Sequence, residues 1–154
     1  MNNGDILNSF YSAFQRKDYR SMQASYHDEA TFTDPVFGEL NAMEVRAMWE
    51  MLLKASKDLR IDFSNVEVTN DNGRCHWEAW YTFSKTGRPV HNRIDARFEF
   101  RDGKIYRHVD HFDFWRWSRQ AIGMPGLLFG WSASLKNKVG DTARRSLEKF
   151  MSQP

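Results

Sequence analysis

From Leu59 to Trp117 apolar and polar residues alternate with a period of two, interrupted only by short turn sequences, and few folds accommodate that pattern. Leu59, Ile61 and Phe63 share one parity, and Val66 and Val68 resume on the other. That slip predicts a bulge near Ser64-Asn65, the device that bends a sheet. Asp71-Asn72-Gly73 then turns into a second strand, Arg74 to Ser84. Thr86-Gly87-Arg88-Pro89 leads to a third, about Val90 to Arg101, and Asp102-Gly103 makes a tight hairpin into a fourth, Lys104 to Trp117. Long consecutive strands with short connections predict an antiparallel meander, curved at the bulge, with one face to be covered.

The cover comes from the N-terminal third. Ile6, Phe10 and Phe14 recur every fourth residue, with Leu7 and Tyr11 beside them and Asp5 placed to cap the helix. After Arg16-Lys17-Asp18 a shorter helical piece carries Met22 and Tyr26. Ala30 to Thr33 reads as a brief strand stopped by Asp34-Pro35. Asn41 with Glu44 three residues on is a capping box, followed by Val45, Met48, Trp49, Leu52 and Leu53 at helical spacing. Helices gathered at one end of the sequence pack on one face of the sheet, which makes the class α+β.

The tail departs from this pattern. Gly123-Met124-Pro125-Gly126 is expected to end regular structure. Leu127-Leu128-Phe129-Gly130-Trp131 is too apolar to lie freely in water, and a last helix is expected over Asp141 to Met151. The organisation predicted is a domain over residues 1–117 and a C-terminal extension over 118–154, packed on it as a lid or brace over the open end of the sheet.

Alternation along the fourth strand sorts its residues. His108, Asp110, Phe112 and Phe114 share one face, and Arg107, Val109, His111 and Asp113 the other. On the third strand Ile94, Ala96, Phe98 and Phe100 are inward, so Asp95 points out. His111 faces away from His108 and Asp110, and Cys75 faces away from His76, so no three ligands converge and no metal is expected. Glu78, Trp80, Arg93, Asp95 and Arg97 make a broad outward face of charges and a large ring, and a homodimer through it is expected.

The counts of twelve Phe, six Trp and five Tyr supply rings for a core and for a ligand pocket. Cys75 is the only cysteine, so no internal disulfide forms, which suits a reducing cytoplasm. The first twenty residues lack the pattern of a signal peptide, and no run of eighteen apolar residues occurs. The basic residues late in the chain, Arg116, Arg119, Lys136, Lys138, Arg144, Arg145 and Lys149, read as a solvated helix face. With a net charge of +2 no nucleic-acid partner is expected, and without a spanning run no membrane partner; the location expected is the cytoplasm.

The order helix, helix, Asp-Pro loop, capped helix, meander, with Asp102-Gly103-Lys104-Ile105 before a strand carrying Asp110-His111-Phe112-Asp113, resembles the SnoaL-like branch of the nuclear transport factor 2-like superfamily. The resemblance runs from about Asp5 to Trp117. It implies a cone-shaped, cystatin-like roll whose pocket lies between the concave sheet face and the N-terminal helices. It turns His108 and Asp110 inward and makes Phe10, Phe14, Tyr26, Trp49, Tyr81, Phe98 and Phe112 the wall for a hydrophobic small molecule.

Ala30 to Val36 is similar to the isomerase stretch whose aspartate is the general base, which points to Asp34. In the related epoxide hydrolases that position holds an asparagine that positions water. Asp110, six residues after Lys104, falls where those hydrolases carry a catalytic aspartate and some cyclases a base. The tyrosine that donates in the isomerases falls near Phe10, with Tyr11 off by one, and the hydrolases' Arg-x-Asp pair falls at Ala79 and Tyr81. Neither specific activity therefore transfers.

The function implied is a small-molecule enzyme of the cyclase, isomerase or hydrolase type. Asp110, with or without Asp34, takes or relays a proton, His108 orients or protonates, and no cofactor is required. The alternatives are a non-catalytic binder of a hydrophobic ligand and a protein-interaction module with a filled cone.

Overall fold

A computed structural model describes residues 2–153. The first helix, α1 (Asn3–Gln15), is capped by Asn2 rather than by Asp5. The Asn2 side chain accepts from the Asp5 N–H at 2.8 Å, and Asp5 accepts from the Asn2 N–H at 3.1 Å. Asp5 thus closes a reciprocal box from inside the first turn. Helix α2 (Tyr19–Ala24) is short, and Tyr26 belongs not to it but to strand β1 (Tyr26–Asp34). That strand is longer than expected because an irregularity between Tyr26 and Thr31 hides its period.

At the end of β1, the Asp34 carboxylate accepts the N–H groups of Val36 and Phe37 at 2.9 and 2.6 Å. The turn so formed folds a short, unexpected strand back as β2 (Gly38–Asn41). Helix α3 (Ala42–Ala55) follows with the Asn41–Glu44 box in place. Val45, Met48, Trp49 and Leu53 are buried, whereas Leu52 lies on the outer side of α3.

The meander is β3 (Arg60–Thr69), β4 (Asn72–Phe83), β5 (Arg88–Arg101) and β6 (Lys104–His111), each antiparallel to the next. The predicted bulge is present: the β3–β4 register shifts between Ser64 and Glu67, and Asn65 has φ 54°. The sheet order is β2-β1-β6-β5-β4-β3. Pairing of β1 to β6 is parallel, so the sheet is mixed rather than purely antiparallel, with Phe32 beside His108 and Thr33 beside Val109. The core lies between the inward sheet face and α1 and α3.

Strand β6 stops at His111 and does not reach Trp117. Asp113 caps a new helix, α4 (Phe114–Ala121), by accepting the Arg116 N–H at 3.1 Å. Phe114 therefore joins Val90, Trp117 and Ala121 in a second cluster instead of extending the strand face. The glycine-rich segment that was expected to be irregular forms α5 (Met124–Phe129). Helix α6 (Ala133–Met151) starts at Ala133 rather than Asp141, capped by Ser132. It braces the β2 end: Leu147 is buried in the main core, and the Arg144 guanidinium donates to the Phe37 carbonyl at 3.1 Å.

Helix α5 sits tightly on α4. A Cβ on Gly126 would fall on the Ser118 carbonyl oxygen, and one on Gly130 would meet the Ser118 hydroxyl. The Trp115 indole N–H also donates to the Leu127 carbonyl at 3.1 Å. The apolar side chains of residues 127–131 stay exposed, contrary to the expectation that they are buried. Gly126→Ala is expected to lower stability by about 1–3 kcal/mol, the usual range for overpacking a close contact, despite alanine's better helix propensity. Thermal denaturation followed by near-UV circular dichroism measures it.

Candidate functional site

Parallel pairing of β1 and β6 sets the geometry of the site. One residue beyond the Thr33–Val109 pair come Asp34 and Asp110, in the same row and on the inward parity. Two residues earlier in that row lie Phe32 and His108. Both His108 and Asp110 are buried, as alternation predicts once the concave face is inward. Asp95 and His111 are exposed.

His108 is the centre of a hydrogen-bonded string. Its Nε2 lies 2.9 Å from Asp110 Oδ1, and its Nδ1 lies 2.8 Å from the Tyr26 hydroxyl. That hydroxyl accepts from the Trp49 indole N–H at 2.9 Å. Since Trp49 donates to the Tyr26 oxygen, the phenolic hydrogen is free to go to Nδ1, which leaves Nε2–H to donate to Asp110. The Trp77 indole N–H donates to the same carboxyl oxygen at 3.3 Å. Trp49 reads from sequence as part of the wall, yet a buried indole N–H, here as in Trp77, needs an acceptor, and that requirement is the available signal.

Rings enclose this string. The His108 imidazole lies 4.3 Å from the Phe98 ring centre and 4.9 Å from that of Phe32, with Phe10 at 5.9 Å. Of the expected wall residues, Phe10, Phe14, Tyr26, Trp49 and Phe98 are core, each no more than 3% exposed. Only Tyr81 and Phe112 keep appreciable surface. The interior at His108 is thus packed with side chains where an open cavity was expected. Two open clefts of about 420 and 570 Å³ lie elsewhere, on the outward side of the sheet, both bordered by Asp95 and His111.

Asp34 differs from Asp110 in being partly exposed. Burial pushes its carboxyl up to about 7 and the charge of Asp110 pushes the same way, against the two N–H groups that favour its charged form. Beside it the Tyr81 phenol is raised by burial and by the charge of Asp34, and its oxygen accepts from the Trp117 indole at 2.8 Å. Asp34, Tyr81 and Phe112 are therefore the predicted residues that solvent reaches, while Asp110 and His108 stand behind them. Tyr11, fully buried, has a hydroxyl without a partner, and burial followed by the Asp110 charge raises it. Burial pushes the Cys75 thiol up to about 12, so it is no nucleophile. Among the described residues no cluster of three or more His, Cys, Asp or Glu has the geometry to hold a metal ion.

The model of the SnoaL-like domain matches residues 7–108. The chain belongs to the SnoaL-like family. The match ends at His108, just short of Asp110. Solved structures of the same fold include IdmH, a putative polyketide cyclase from Streptomyces antibioticus, at 18% identity and TM-score 0.65, covering 77% of this chain and 98% of that one. An M. tuberculosis epoxide hydrolase of the LEH-like type aligns at 14% identity and TM-score 0.64, covering 80% and 92%. A protein from Catenulispora acidiphila with a ketosteroid isomerase-like fold, in complex with trimethylamine, aligns at 11% and 0.68, covering 82% and 96%. At these identities the likeness is one of fold. A search of curated proteins finds no match.

The raised carboxyl of Asp34 has a consequence for stability. Unfolded, an aspartate loses its proton near pH 4; folded, Asp34 loses it near 7. Between those values unfolding releases a proton, so stability falls as pH rises, and the penalty is complete above the folded value. Asp34→Asn keeps an acceptor for Val36 and Phe37. It is expected to match the parent at pH 4 and to exceed it at pH 8 by up to about 4 kcal/mol, at about 1.4 kcal/mol per unit. Urea denaturation at the two pH values tests this.

Proposed function

We propose that this SnoaL-like protein is an acid–base enzyme of the cyclase, isomerase or hydrolase type, acting on an apolar small molecule. The observation that supports it most is the Asp34 carboxyl, raised to about 7 by burial on a partly exposed residue and lying next to a second carboxyl. A carboxyl poised there takes and returns a proton at working pH, the task for which a matched pKa is useful. Asp34 removes the proton from a carbon beside a carbonyl, or from an attacking water, and returns it to the product.

Asp110 acts from behind by its charge, and His108 is a positioning residue that holds Asp110 in one orientation. Tyr81 and Phe112 form the contact surface for the substrate. Proton transfer of this kind needs no cofactor. The ring-filled interior favours one other reading, a protein-interaction module of the same fold, in which the His108–Asp110 string only satisfies buried polar groups. The outward face is proposed to pair two copies. There Glu78 accepts from His91 at 2.6 Å and from His76 at 3.0 Å, and Trp80 stacks on His91.

A panel of apolar ketones, β-dicarbonyl compounds and epoxides gives the test of activity. Asp34→Asn is expected to lower kcat by about 10²–10⁴-fold, the usual worth of a general acid–base group, while leaving the fold intact. His108→Phe is expected to move the pH profile of kcat rather than abolish turnover. Equal turnover by the parent and Asp34→Asn would leave the interaction module as the reading. Light scattering at micromolar concentration checks the pairing: a dimer is expected, and a monomer removes it.

A further inference from the structure

The tail presents its side chains the wrong way round for a buried segment. In residues 121–130 the buried positions are Ala121, Gly126 and Gly130, while Met124, Leu127, Leu128 and Phe129 are exposed at 65%, 45%, 52% and 55%. Trp131 is exposed at 77% and Trp115 at 36%. Six of the eight exposed large hydrophobic residues among the described ones thus fall between Trp115 and Trp131. This exposure does not come from loose packing. Gly126 seats α5 against the α4 backbone and Gly130 lies against the Ser118 and Trp115 side chains, so closely that a Cβ at either would collide, which leaves the large side chains facing outward from a fixed base. Concentrated apolar surface of this kind marks a docking site.

Charge selects the occupant. Between Asp113 and Asp141 there is no carboxylate side chain, while Arg116, Arg119, Lys136 and Lys138 all fall in that stretch. Lys136 and Lys138 are exposed on the first turns of α6, and Arg119 lies over the Trp115 ring, 4.2 Å from its centre. Two copies of this surface placed face to face would bring like charges together. A partner that is apolar inside and anionic at its boundary fits both halves of the pattern, and a bilayer containing anionic lipid has that construction. Tryptophan at the rim of the patch suits the headgroup level. The sequence expectation of no membrane partner rested on the lack of a spanning segment, and indeed no helix among the described residues is long and apolar enough to cross a membrane. Lying on the surface requires no such helix.

We propose that α5 and the start of α6 form a docking surface for anionic bilayers, with Leu127, Leu128, Phe129 and Trp131 entering the interface and Lys136 and Lys138 meeting the headgroups. The patch includes neither Asp34 nor Asp110, and the proposal stands independently of what they do. The test is co-sedimentation of the full chain with phosphatidylcholine vesicles, with and without phosphatidylglycerol, at low and high salt.

Binding is expected only with phosphatidylglycerol and is expected to weaken as salt rises. Leu128→Glu/Phe129→Glu is expected to abolish it. Lys136→Gln/Lys138→Gln is expected to lower partitioning about 25-fold, from about five-fold per cation. All four side chains are exposed, so unchanged melting temperatures verify that the variants fold. The proposal is overturned by absence of binding to the anionic vesicles, or by equal binding to neutral ones. It is also overturned if Leu128→Glu/Phe129→Glu leaves vesicle binding intact but turns a dimer into a monomer, since the occupant is then a second copy.

Discussion

A carboxyl group inside a shell of aromatic rings must be met by donors, because stranding it there costs several kcal/mol. Asp110 is 4% exposed, and its Oδ1 receives the His108 imidazole and the Trp77 indole. His108 in turn needs a partner on its other nitrogen, and Tyr26 with Trp49 behind it supplies one. That single requirement ties β6 to β4, β1 and α3. Each of these elements must arrive at the right rotation for the polar string to close. The string thus specifies the arrangement of the core as much as the surrounding rings do.

The same string sharpens the difference between the two aspartates. They sit side by side across the β1–β6 pairing, yet one accepts from side chains in the interior and the other from backbone N–H groups of a turn at the edge. Depth, not sequence neighbourhood, separates their surroundings. Asp34 looks from sequence like an ordinary turn-forming residue before proline, and it is one. It is also the carboxyl whose proton affinity burial raises, and the two properties share the same group.

Strand alternation was enough to read much of this. It put His108 and Asp110 on one face and Asp95 and His111 on the other, located the bulge at Asn65, and ordered four strands correctly. What it missed has identifiable causes. An irregularity in β1 conceals its period, so neither its length nor its parallel pairing was visible. Asp113 ends β6 by capping α4, a local competition that alternation cannot register. Whether rings leave a cavity or fill it depends on their packing in three dimensions, and the residue types at Phe10, Trp49 and Phe98 are the same either way. In the tail hydrophobicity does not mean burial, because Gly126 and Gly130 rather than the large side chains occupy its inward face.

The parallel partnership of β1 and β6 also bears on how the molecule comes together. Tyr26 and His108 are 82 residues apart in the chain, with α3 and four strands of the sheet between them. The meander is built from neighbours and closes few long loops, whereas this contact must wait for more than half the chain. The polar row is therefore expected to assemble late in folding, after the hairpins have formed. A nascent chain lacking β6 has Asp34 without the full burial, or the neighbouring carboxyl, that raises its proton affinity. The chemistry of the site would then emerge only with the last strand of the sheet.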